Sequence, residues 1–334
     1  MKRKIINVAL IICPLSIVFL SLFIGRYPIS MVSIISMLWS KLTYTPNNLP
    51  ELYQTVVWEI RMPRAILGAL VGGVLAMSGA AFQGLFRNPL VSSGILGVSS
   101  GAGFGAALAI LLFNTQATIY LFAFGFALLA VLISYLIGKV YNTAPTIMLV
   151  LGGTIVSSAF AALISFIKYV ADPADKLPAI VFWLMGSLAS ASLQELWIAG
   201  MPMLIGMVGI WALRWRINVL SMGDREARSL GINTTLNKGL IVIFATLATA
   251  GAVAVSGTIG WVGLIIPHIG RMIVGNDNKL LIPASFSLGA SFLILIDLTG
   301  RMLTGSEIPL SILTALIGAP FFVYLLKITK GKGW

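Results

Sequence analysis

The sequence predicts an all-α polytopic membrane protein: ten transmembrane helices with an inverted internal repeat, forming one domain over residues 1–334. Three observations predict it. The composition is 58% hydrophobic against 10% charged, with a mean hydropathy of +1.00, a balance that soluble domains of this length do not show. Most charges gather at the ends of apolar runs long enough to cross a bilayer. A small-residue segment, Gly73-Val-Leu-Ala-Met-Ser-Gly-Ala80, recurs as Gly251-Ala-Val-Ala-Val-Ser-Gly-Thr258. The five spans between the copies reverse their direction, as in many transporters.

The expected elements follow in order. Span one covers about 5–24. The Met1-Lys-Arg-Lys4 start resembles a signal peptide, but no small-residue cleavage pattern follows, so the run reads as a retained helix. Residues 29–42 are amphipathic and suit the membrane interface. Pro46-Asn-Asn-Leu-Pro50 is a turn. Span two begins at Pro63 and reaches 82. Spans three to five cover 95–113, 119–140 and 145–167. The semi-polar 180–191 reads as a short outer helix. Spans six to ten cover 193–213, 239–255, 259–274, 280–298 and 308–326. Gly68-xxx-Gly72 and Gly101-xxx-Gly105 permit close helix contact, as a moving seam or as plain packing.

The net charge of +12 does not point to nucleic acid, because its location follows the membrane. With ten spans, both termini share a side, and fifteen of the 22 basic residues fall there. The positive-inside rule makes that side cytoplasmic. Arg26, Lys41, Arg61, Arg64, Lys168, Lys176 and Arg301 fall on the other side.

Ser221-Met-Gly-Asp-Arg-Glu-Ala-Arg-Ser-Leu-Gly-Ile-Asn233 is the most polar stretch in the middle of the chain. Ser221 and Asp224 suggest a capping box and Gly231 a helix stop. A helix of about two turns is expected between them, charged on one side, with Ala227 and Leu230 on the other. It is too short to stand alone, so a partner must hold it. The alternative is an ordinary polar loop.

Little supports catalysis. His268 is the one histidine and Cys13 the one cysteine, too few for a triad or a metal site built on them. No phosphate-binding Gly-x-x-x-x-Gly-Lys-Ser/Thr loop occurs, so ATP can drive this chain only through another subunit. No cofactor or metal is expected. Asp297 lies deep in an apolar run, four residues before Arg301. It either orients Arg301 or relays protons in an ion-coupled secondary carrier. Arg61, Arg64 and Arg301 suit docking of partner carboxylates and, equally, headgroup anchoring. A membrane anchor or sensor without transport is a third class.

Several motifs together carry a family resemblance: Arg61-Met-Pro-Arg64, Ser78-Gly79, Phe86-Arg-Asn-Pro-Leu90, Gly94-Ile-Leu-Gly-Val-Ser-Ser-Gly-Ala102, Met222–Ile232, Gly260–Arg271, Glu307-Ile-Pro-Leu310 and Gly318-Ala-Pro-Phe321. From about residue 5 to 327 the chain resembles the permease subunits of binding-protein-dependent ABC importers for iron–siderophore complexes, haem and vitamin B12. The resemblance implies a vitamin B12 importer permease-like fold, working as a homodimer or as a pair of homologous permeases in a prokaryotic cytoplasmic membrane. It implies two cytoplasmic ATPase subunits and an extracytoplasmic binding protein as partners. Coupling helices would occupy about 218–234, with Ser221, Gly223, Asp224, Arg225, Glu226, Arg228, Leu230 and Gly231 meeting the ATPase. Arg61, Arg64 and Arg301 would dock the binding protein. Asn88, Leu90, Thr143 and Ala144 would form the cytoplasmic gate, although the last pair departs from the small hydroxyl pair of the vitamin B12 permease. Spans five and ten would line the path. With few groups able to strip and re-ligate a metal, cargo is expected to cross as an intact chelate. A ferric siderophore leads; haem, cobalamin and molybdate follow.

Overall fold

A computed structural model describes residues 2–45, 49–139 and 146–329, and the described residues contain helices and no strands. The helices are α1 (Lys2–Phe23), α2 (Met31–Thr43), α3 (Glu51–Thr55), α4 (Met62–Phe86), α5 (Val98–Leu112), α6 (Gln116–Gly138), α7 (Thr146–Val170), α8 (Lys176–Met185), α9 (Leu193–Met222), α10 (Asp224–Ser229), α11 (Thr234–Ser256), α12 (Val262–Val274), α13 (Asn278–Met302) and α14 (Leu310–Thr329). Six stretches among the described residues are long and apolar enough to cross a membrane. The other four expected spans fall on the shorter apolar stretches Val8–Phe23, Val98–Leu112, Val262–Val274 and Leu310–Leu325. Ten crossings are compatible with this architecture.

The repeat is visible as a pattern of lengths. Helices α4 to α7 have 25, 15, 23 and 25 residues. Helices α11 to α14 have 23, 13, 25 and 20. The second member is short in each set, and each follows a residue with left-handed φ, Gly97 at 86° and Trp261 at 70°. The packing is exchanged between the sets: α4 lies against α12 and α13, as α11 lies against α5 and α6. At the α4–α13 crossing a Cβ on Gly72 would fall 2.2 Å from the Gly289 carbonyl oxygen, and one on Gly289 2.3 Å from that of Gly72. Only glycine permits that approach. Gly101 and Gly105 likewise seat α5 against the Phe126 and Phe122 carbonyls of α6. Gly68 instead faces the Leu188 side chain.

At two of the prolines inside helices, Pro14 and Pro267, a side chain from a neighbouring helix mends the break. A proline at position i leaves the carbonyl of i−4 without its helical donor, a costly loss away from water. Pro267 in α12 does this to Gly263, and Gln83 Nε2 donates to the Gly263 and Leu264 carbonyls at 3.4 Å and to the Val91 carbonyl at 3.1 Å. Pro14 in α1 does it to Leu10, and the Ser287 hydroxyl of α13 donates to the Leu10 carbonyl.

Span two does not start at Pro63. A continuous helical stretch runs over Glu51–Phe86, with a π-turn at Val56–Arg61 and Met62 N–H donating to the Val57 carbonyl. The wider turn accommodates the proline that a regular helix would reject. Helix α2 buries Ile34, Met37 and Ser40, two of them in a small core with Leu22, Ile29 and Val57.

Candidate functional site

Two polar centres stand at opposite ends of the helices. The first is α10. Ser221 is not its cap: it lies in the last turn of α9, and its hydroxyl donates to the Asn218 carbonyl. The chain turns at Gly223, φ 136°, where a Cβ would meet Glu226 Oε2 at 2.2 Å. The helix is then only the six residues Asp224–Ser229. Gly231, φ 77°, ends it: Gly231 N–H donates to the Arg228 carbonyl at 2.9 Å and Ile232 N–H to that of Ala227 at 3.0 Å. This is the Schellman pattern.

Three tethers hold α10 to the body. Ala227 is fully buried. Lys238 Nζ, on the buried face of α11, reaches Asp224 Oδ2 at 2.7 Å. Arg228 Nε donates to Thr234 Oγ1 at 3.4 Å. Arg225, Glu226, Arg228 and Leu230 are exposed. Leu230 therefore does not share a face with Ala227 as i,i+3 spacing predicts. It is the residue after the last helical turn, with ψ 11°, and points out beside the charges.

Asp224 also lines a cavity of about 480 Å³ with Phe86, Arg87, Asn88, Thr146 and Val150. Asn88 thus meets the α10 segment in one space, and its Oδ1 accepts from Leu90 N–H at 2.9 Å. Leu90 is 56% exposed and lies outside that lining. Thr143 and Ala144 fall outside the described residues.

The second centre joins residues far apart in sequence. Arg64 is buried in α4. Its Nε lies 3.1 Å from both oxygens of Asp297, and its Nη2 2.7 Å from Oδ1. The same guanidinium grips Glu307, Nη1 to Oε1 and Nη2 to Oε2, each at 2.8 Å. Arg301 Nε lies 3.2 Å from Asp297 Oδ2 across one helical turn. Asp297 therefore serves two arginines, where sequence spacing offers one. Glu307, in the loop after α13, is the missed residue. Arg64 donating to it, with Arg301 and Arg26 nearby, holds its carboxyl below the usual value. Arg26 closes the cluster by donating to the Arg301 and Thr304 carbonyls.

Arg61 and Arg64 do not stand out from the surface as expected. Arg61 is 4% exposed and donates to the backbone carbonyls of Leu22, Phe23 and Tyr27. The α1–α2 turn offers acceptors that a buried guanidinium requires. His268 is buried in α12, in neither centre.

The sequence profile of the FecCD transport family matches residues 10–327. The molybdate import permease MolB of Haemophilus influenzae is 42% identical over 317 residues, covering 93% of this chain and 92% of that protein. A permease named for iron chelatin transport in Helicobacter pylori is 42% identical, covering 83% of each. A solved structure, described as an inward-facing conformation of a metal-chelate type ABC transporter, superimposes with a TM-score of 0.87 at 38% identity, over 97% of this chain and 99% of that one.

Proposed function

The chain belongs to the FecCD transport family and is a multi-pass permease subunit of an ABC importer, and we propose that it carries an intact metal chelate inward, a ferric siderophore foremost. The observation that carries the assignment of parts is α10: six residues, tethered at Ala227, Asp224 and Arg228, with Arg225, Glu226, Arg228 and Leu230 turned outward. A helix this short with a bare charged and apolar face is built to be covered. We assign that face to a cytoplasmic ATPase, two copies of which serve a pair of permeases, identical or homologous. Both termini then lie in the cytoplasm. The cavity shared by Asp224 and Asn88 is the route by which α10 movement reaches the gate, to which Leu90, Thr143 and Ala144 also belong in this reading.

The binding protein docks at the Arg64–Arg301 end. Since Arg64 already holds two carboxylates, an incoming carboxylate must displace Glu307, the more exposed of them at 35% against 4%. Arg61, occupied by carbonyls, holds the α1–α2 turn from beneath. An intact chelate is supported by the scarcity of metal ligands, with one His and one Cys in the chain. A second reading, molybdate, is favoured by the extent of the MolB match.

The experiment is uptake into proteoliposomes holding the permease and its ATPase. ATP-dependent entry of a ferric siderophore, requiring the binding protein, is expected. Molybdate entry under the same conditions selects the second reading. Entry on an ion gradient without ATPase would overturn both and restore the secondary carrier using Asp297.

A further inference from the structure

We propose that the cleft between α1, α9 and α13 is a binding site for an anionic phospholipid of the leaflet on the α10 side. The cleft has a volume of about 720 Å³ and is lined by Leu10 and Pro14 of α1, Val208 and Trp211 of α9, and Pro283 and Phe286 of α13 among others. That volume lies within the range of built small-molecule sites, about 300–1,000 Å³. Its walls are apolar, which suits an acyl chain and rejects a polar solute.

The charge around it is one-sided. On α9 the lining positions Met207 and Trp211 lead one turn on to Arg214. The Arg214 guanidinium stacks on the Trp211 ring, 3.9 Å from its centroid, and donates to the Trp211 carbonyl at 2.8 Å. This fixes a cation against a side chain of the cleft wall. On α13 the lining positions Pro283 and Phe286 lead back one turn to Lys279, which is exposed. The C-terminal end of α9 and the start of α13 adjoin there, since Asn218 donates to Asp277 at 2.6 Å and accepts from Asn278 N–H at 2.7 Å. Asp277, the nearby acid, also accepts from Lys279 N–H at 2.9 Å, which holds its carboxylate at the start of α13; it keeps one negative charge against the two cations. Two wall stripes thus end in cations on one side of the cleft, an acyl slot with an anionic head site. Basic positions between membrane helices at the cytoplasmic surface attract acidic headgroups, each charge contributing about fivefold.

The site is tested by native mass spectrometry of the full-length chain, with whatever subunits co-purify, released from nanodiscs of phosphatidylcholine and phosphatidylglycerol at 4:1. Wild type should retain phosphatidylglycerol in preference to phosphatidylcholine. Arg214→Gln with Lys279→Gln should lose that preference by about tenfold or more while still retaining lipid. Val208→Trp, which fills the slot, should lose retention of both lipids, with an unchanged size-exclusion profile showing that it folds. No preference in wild type, or one untouched by the charge and slot variants, overturns the proposal. So does an assembly whose cleft carries no lipid because a second copy of the chain covers it.

Discussion

Replacing Asp297 tests whether the Arg64 cluster is a structural clamp. Asp297 is 3% exposed and sits between two guanidiniums, at 2.7 Å from Arg64 and 3.2 Å from Arg301. Asp297→Asn keeps the volume and removes the charge. It leaves two cations facing each other with Glu307 alone to answer them. Breaking a buried pair by removing one partner costs about 3–5 kcal/mol. Glu307→Gln should cost far less, about 1 kcal/mol or below, because that group is one-third exposed and Arg64 keeps Asp297. The assay is thermal unfolding of the purified chain in detergent, read as the difference between the two variants. Equal shifts, or an Asp297→Asn variant as stable as wild type, would refute the clamp. The pH dependence has a definite sign. Glu307 has its folded-state value held down, so its contribution is present above the unfolded carboxylate value and is lost as pH falls through the lowered one. Glu307→Gln should flatten that acid limb.

Three further outcomes are expected. Arg225→Glu should weaken co-purification of the ATPase while the melting temperature changes little, since Arg225 is exposed and is not one of the three tethers; adding Arg228→Glu should weaken it further and also loosen α10, because it removes the bond to Thr234. Leu230→Ala should weaken that association in a pull-down and leave stability within about 0.5 kcal/mol, as an exposed side chain should. Gln83→Leu removes the donor to carbonyls in α12 and after α4 and should destabilise by about 1–3 kcal/mol, measured by thermal unfolding; an unaltered transition would show that the Pro267 break is mended elsewhere.

The sequence made the apolar runs legible because the bilayer imposes length and composition on them, and each expected span falls on a helix. It misplaced boundaries where context overrides a local signal. Pro63 reads as a helix start, but the π-turn before it carries the helix through. Ser221 reads as a cap, but α9 continues past it and Gly223 makes the turn. Gly231 was legible because its stop is a local backbone matter. The partners of Arg64 were not: Asp297 and Glu307 lie 233 and 243 residues away. The acceptors of Arg61 could not be read from sequence, since they are main-chain carbonyls, which every residue carries.

The two centres are joined by α4 and α13, which pack closely along their length. Helix α4 carries Arg64 near one end and leads into Asn88 at the other. Helix α13 carries Asp297 and Arg301 at the first end and Asn278, tied to α9, at the second. Gly72 and Gly289 bring their backbones into contact midway. The crossing is tight around them as well, since a Cβ on Gly72 would also meet Leu293 Cβ at 2.6 Å and one on Gly289 the Ala76 Cβ at 2.6 Å, and side chains interlocked at that density resist sliding. The most apolar window of α7 is 28% buried against 83% for the stretch containing α4, and α7 begins at the cavity that Asp224 and Asn88 share. On the function proposed above, a close-packed α4–α13 pair would register the two docking ends and α7 would be the wall that α10 displaces.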